Sequence, residues 1–153
     1  MANVSKMLID ALAPLCRQYG LRSLELRDEC VLFASHKYAL HFYTEPREQG
    51  IFLEYIDIPQ SPPQRMRGYA LGYFLFVTRP TPAPHTRESA ALLSQEESIR
   101  VSIQQYSKIL MEKGQDILRG EKEWLKDYPS TWGIDCVPPY IADAISRILE
   151  DEA

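Results

Sequence analysis

The chain has few of the residues and patterns that usually announce chemistry. Its three cysteines, Cys16, Cys30 and Cys136, are odd in number, far apart and flanked by apolar residues. That suits reduced, packed thiols in a reducing, cytoplasmic compartment better than a disulfide framework. No cysteine pair has metal-ligand spacing, and the histidines, His36, His41 and His85, form no HExxH or similar pattern, so no zinc site is expected. Neither Cys16 nor Cys30 stands beside a histidine in a recognised arrangement or at a helix N-terminus, which leaves nucleophilic catalysis without support in the sequence. Gly68 and Gly72 belong to no GxxxxGK[ST] loop or dinucleotide fingerprint. They read as relief of crowding around aromatic residues, and no cofactor is expected.

Long apolar runs are missing too. The richest, "GYALGYFLFV", is only about half the length a membrane-spanning helix requires. Near the N-terminus Asp10 interrupts "MLIDALAPL" and no small-residue cleavage site follows, which argues against a signal peptide. Positive charge is scarce where it would matter. Lys and Arg less Asp and Glu give 6 − 8 = −2 for residues 1–60, 4 − 1 = +3 for 61–90 and 7 − 12 = −5 for 91–153. An acidic C-terminal third disfavours nucleic acid as a direct ligand, because phosphate neutralisation needs clustered Lys and Arg. The same charge is compatible with a basic protein partner, and self-association stays open.

What is present is a core. With 45% hydrophobic and 25% charged residues in 153, the chain has the make-up of one ordinary globular domain. Val4, Met7, Leu8, Ala11, Leu12 and Leu15 recur at helical spacing, with Asn3 as N-cap and Gly20 placed to end the helix in a left-handed conformation; Pro14 should kink or restart it. From Ser23 the period becomes two. "SLELR", "CVLFA", "YALHFYT" and "IFLEYID" read as an antiparallel meander with turns at "DE", "SHK" and "EPREQG". Leu24, Leu26, Phe33, Leu40, Phe42, Leu53 and Tyr55 are expected on the face that meets helices, and Glu25, Arg27, His41 and Glu54 on a partly wet one.

After the proline-rich "IPQSPPQ", the segment "RGYALGYFLFVT" is apolar in both alternating registers. A fifth, buried strand is expected there, with a buried helix as the alternative. "RPTPAPH" reads as a stiff connector. Ser94 and Glu97 form a capping box for a second long helix carrying Ile99, Ile103, Tyr106, Leu110 and Ile117, ended or bent at Gly114. Pro138 and Pro139 open a last helix with an apolar face of Tyr140, Ile141, Ala144, Ile145, Ile148 and Leu149. The expected fold is a single α+β domain over residues 1–153, an antiparallel four- or five-stranded meander with an N-terminal helix and C-terminal helices packed mainly on one face.

The densest stretch is "GQDILRGEKEWLKDYPSTWG", Gly114 to Gly133, where acidic residues surround two tryptophans. It reads either as an acidic rim around aromatic anchors or as a helix end sealing the core. The partner-binding residues expected are Glu121, Glu123, Asp127 and Trp132; Trp124 falls close to a helical stripe with Ile117, Leu118, Leu125 and Tyr128 and belongs rather to the core. The sheet face around Glu25, His41 and Glu54 is the alternative surface. In its order of helix, meander and helices, and in Gly120 and Trp124 of "GQDILRGEKEWLKDY", the chain resembles small immunity proteins that bacteria encode beside polymorphic toxins. That resemblance implies a cytoplasmic, non-enzymatic protein that covers the active site of one cognate toxin domain. "MLIDALAPLCRQYGLRSLELRDECVLF" is also similar to the start of type III secretion chaperones, though two substantial C-terminal helices are more than that family carries. An enzyme of unrecognised type is the third reading, since fold alone does not exclude activity.

Overall fold

The computed structural model describes residues 4–27, 30–44, 51–59, 66–79 and 95–150. Helix α1 spans Val4–Tyr19 and buries Val4, Leu8, Leu12 and Leu15, the stripe expected of it. It runs through Pro14 as one element. Gly20, at φ +69°, ends it, and Leu21 N–H closes the turn on the Cys16 carbonyl at 3.0 Å.

Strands β1 (Arg22–Arg27), β2 (Cys30–Ala34), β3 (Tyr38–Thr44), β4 (Ile51–Asp57) and β5 (Arg67–Tyr69) follow in an antiparallel meander, and a two-residue β6 (Asp135–Cys136) pairs on the far side of β5. The architecture is thus the α+β meander the sequence implies, extended by one short strand from the C-terminal region.

The segment "RGYALGYFLFVT" departs from the expected strand. Its first three residues are β5, and Leu71–Thr78 then form helix α2. β5 can pair only with Tyr55, Ile56 and Asp57 of β4. Beyond that point the chain satisfies its backbone internally and buries Leu71, Phe74 and Leu75 at helical spacing, while Tyr73, Phe76 and Val77 are exposed. The run is apolar in every register because its outer surface is apolar as well. Gly72 lies where a Cβ would come within 2.9 Å of the Tyr106 hydroxyl, so this glycine does relieve crowding by an aromatic ring.

Helix α3 (Gln95–Lys113) buries Ile99, Ile103, Tyr106, Ile109 and Leu110; Gly114 separates it from the short α4 (Gln115–Leu118). Two 3₁₀ turns, Glu123–Asp127 and Ser130–Trp132, lead to β6 and to α5 (Pro139–Glu150). Asn3, Ser94 and the stretch after Arg79 lie outside the described residues. None of the described helices is long and apolar enough to cross a membrane.

Helices α1 to α4 pack on one face of the sheet, over Val31, Phe33, Leu40, Phe42, Leu53 and Tyr55. The opposite face is partly wet, as expected, with Tyr43, Phe52 and Glu54 half-buried on it, but the rest of it is covered. Ile141, Ala144, Ile145 and Ile148 of α5 cover Leu32, Ala34, Ala39 and Ile56 there, and Arg22 Nη1 donates to the Ile148 carbonyl near the end of that helix. Register corrects the face assignment of β1. Leu24 lies opposite Leu32, which lies opposite His41, so Leu24 and Leu26 face α5, whereas Glu25 lies opposite Val31 and is exposed at the sheet edge. Since the side-chain period is two, placing β1 one residue out moves all of its side chains to the wrong face.

Trp124 is 1% exposed and takes the core role expected of it, although from a 3₁₀ turn rather than a regular helix. Its ring meets Tyr55 at 4.9 Å and Phe74 at 5.0 Å between centroids. Trp132 is half-buried and packs against the edge of the same core. Truncating Trp124 to alanine should therefore lower stability by about 3–5 kcal/mol, the cost of emptying a large buried site. Trp132→Ala should cost clearly less, and equal losses for the two in urea denaturation would contradict this division of roles.

Candidate functional site

Two arrangements of side chains are candidates for function, one on each side of the sheet. The first grows out of α2 and the 3₁₀ turns. Tyr128 accepts a hydrogen bond from the Ala70 N–H at 3.0 Å and can donate to the Gly133 carbonyl at 3.4 Å, tying the start of α2 to the turn that carries Trp132. Trp132 then stands between Tyr73, edge-on at 4.7 Å, and Tyr128 at 5.3 Å. Tyr73 is 60% exposed, and Phe76 and Val77 continue the apolar surface along α2. At the far end of that helix Arg79 donates to both Asp116 oxygens, at 2.7 and 3.1 Å, and to the Lys113 carbonyl at 2.7 Å. Burial works against the Asp116 carboxylate, but the Arg79 guanidinium outweighs it and holds the group below its ordinary range. The ledge is therefore braced at both ends.

The acidic residues expected to rim it, Glu121, Glu123 and Asp127, are all exposed. Two of them are locally compensated: Arg119 donates to Glu121 at 2.7 Å, and Lys126 lies 2.8 Å from Glu123. Lys122 pairs with Asp57 on β4 instead of facing outward. The structure thus brings Trp132 to an aromatic ledge. The negative charge nearby is more balanced than its sequence density suggests.

The second arrangement lies on the α5 face of the sheet, where the sequence suggested a partly wet surface. In the register of β2, β3 and β4, Leu32 faces His41 and His41 faces Glu54, with Cys30 at the head of β2 on the same side. Cys30 Sγ sits 2.9 Å from His41 Nε2, and His41 Nδ1 sits 3.4 Å from Glu54 Oε1. Tyr43 stacks on the imidazole at 5.0 Å and Phe52 on Tyr43 at 5.5 Å. Gly68 of β5 makes room for the carboxylate; a Cβ there would come within 2.6 Å of Glu54 Oε2, so this glycine accommodates an acid rather than an aromatic ring. Because the two ring nitrogens point in opposite directions, the thiol and the carboxylate do not converge on one point. The set is a linear relay, and among the described residues no group of His, Cys, Asp and Glu could hold a metal ion.

The alternative surface around Glu25, His41 and Glu54 is accordingly not an exposed face: the His41 side chain is 8% and that of Glu54 17% exposed, and Glu25 belongs to the other side. The cysteines differ in the same way from three packed thiols. Cys30 is buried beside a histidine, Cys16 is half-buried and Cys136 is exposed, none of them in a disulfide. Burial pushes the Cys16 thiol up to about 11, with Arg17 opposing. The pairing of Cys30 with His41 had no signal in linear spacing, since eleven residues and a hairpin separate them.

No protein-family model matches the chain, and no curated protein and no solved structure matches it.

Desolvation works against charge on His41, but its contacts with Cys30 and Glu54 outweigh burial and raise its pKa from 6.5 to about 9. In a Cys30→Ala/Glu54→Gln variant only burial remains, so the His41 midpoint followed by NMR should fall below 6.5, the ordinary value. A midpoint that stays near 9 in that variant would show that neither contact holds the proton.

Proposed function

We propose that the chain is a non-enzymatic protein-binding module of the bacterial cytoplasm, an immunity protein that neutralises a cognate toxin domain by direct binding. The observation that carries the reading is the exposed aromatic ledge of Tyr73, Phe76 and Trp132, braced from both ends of α2. Half-buried aromatics with one face outside give large contact area at low entropic cost and are the residues around which protein interfaces concentrate their binding energy. The excess of acid over base in residues 91–153 supports a basic partner. Opposed charge speeds encounter, while burial of Trp132 and Tyr73 slows dissociation.

A toxin encoded immediately upstream is the partner to test, by protection of growth on co-expression and by binding of the purified proteins. A secretion effector in that position would favour the chaperone reading, and a metabolic operon would sink both. With the toxin in hand, Glu121, Glu123 and Asp127 changed together to lysine should slow association and weaken its salt dependence. Trp132→Ala, and independently Tyr73→Ala, should speed dissociation by about tenfold or more, as loss of roughly 2 kcal/mol at a hot spot requires. If affinity survives all of these substitutions in a folded protein, the partner docks elsewhere on the chain.

A further inference from the structure

The Cys30–His41–Glu54 relay is not needed for docking on the α2 side, yet its parts meet the requirements of an activated thiol. A nucleophilic sulfur needs a base within hydrogen-bond reach and a third group to orient that base. Here Nε2 lies 2.9 Å from the sulfur, and Nδ1 is held 3.4 Å from a carboxylate oxygen. The relay is set on three paired strands rather than on a loop, with Tyr43 stacked on the ring and a glycine opposite the carboxylate. Its position also restricts what can react. Cys30 is 6% exposed, so a peptide or other extended substrate cannot lie across the sulfur, and any molecule that reacts there must be small.

We propose that Cys30 is a reactive thiol site for small hydroperoxides, with His41 as its proton partner and Glu54 as the residue that positions His41. The sulfur attacks one peroxide oxygen and the O–O bond breaks. The sulfur becomes a sulfenic acid, oxidised by two electrons, and the peroxide is reduced by the same two; the departing oxygen keeps the O–O bonding pair, takes the proton shared by Sγ and Nε2 and leaves as water when the oxidant is hydrogen peroxide. The reaction requires no bound cofactor and no extended cleft.

The chain carries its own controls, because Cys136 is exposed without a described histidine contact and Cys16 is half-buried without one. The folded protein is exposed to hydrogen peroxide at neutral pH, quenched at intervals, denatured in an alkylating agent and mapped by mass spectrometry for the gain of one oxygen at each cysteine. Cys30 should oxidise at least about tenfold faster than Cys136 despite its burial, since a proton partner positioned on the sulfur accelerates the reaction by more than that. His41→Asn should bring Cys30 to or below the rate of Cys136, and Glu54→Gln should give an intermediate rate with the fold retained by thermal melting. If Cys30 in the wild-type protein oxidises no faster than Cys136, the relay is a packing contact only and the proposal fails. Should His41→Asn not fold, the wild-type ratio and Glu54→Gln still decide: an unchanged rate in Glu54→Gln removes Glu54 from the mechanism, and an unaccelerated Cys30 removes the site.

Discussion

The position of Trp124 is the constraint on which much of this molecule depends. Its ring fills the space between Tyr55 on β4, Tyr69 on β5 and Phe74 on α2, with centroids 4.9, 6.1 and 5.0 Å away. Aromatic edges against faces are favourable beyond their burial, and several such contacts at once leave few ways to place the elements that carry them. By holding Phe74 inside, Trp124 selects which residues of α2 are core and thereby which remain outside. Tyr73 and Phe76 are exposed as a consequence of that choice. The 3₁₀ turn that delivers Trp124 is held in turn by Gly120, whose φ of +89° reverses the chain after α4 and whose missing Cβ admits Lys37.

On the other side of the sheet the governing constraint is register. β2, β3 and β4 pair without interruption, so Cys30, Leu32 and Ala34 share a face with Tyr43, His41 and Ala39 and, through them, with Phe52, Glu54 and Ile56. Half of that face is ordinary hydrophobic core under α5; the other half holds a thiol, an imidazole and a carboxylate beneath two stacked aromatic rings. Burying such groups without partners would cost several kcal/mol. Here each is satisfied by the next, which makes the row stable as a set and sensitive to loss of any member.

The two faces therefore divide the work. The α1–α4 side builds the main core and ends in an exposed aromatic ledge, while on the other side α5 closes over one half of the sheet face and the thiol lies in the other half. The same short strand joins them, since β5 contributes Tyr69 to the tryptophan cluster and, at Gly68, the room that the Glu54 carboxylate occupies.

Much of this was legible from linear pattern. The period-two segments became β1 to β4, the stripe of α1 and its stop at Gly20 are as spacing implied, and Trp124 went to the core. Such features depend on near neighbours, and local periodicity reports which side of an element is apolar. It does not report what the other side meets. "RGYALGYFLFVT" looked like a buried strand because nothing local distinguishes a residue that faces the core from an apolar residue left on the surface, and only the short reach of β5 along β4 turned the rest into a helix. Glu25 and His41 both looked outward for the same reason, until strand register put one at an exposed edge and buried the other. Cys30, His41 and Glu54 lie on three strands, and their meeting is a property of how those strands pair. The sequence by itself determined most of the elements, the amphipathic faces of α1 and α3 and the α+β architecture. Tertiary structure alone decided which apolar side chains stayed outside and which polar ones came together, because both depend on contacts between residues far apart in the chain.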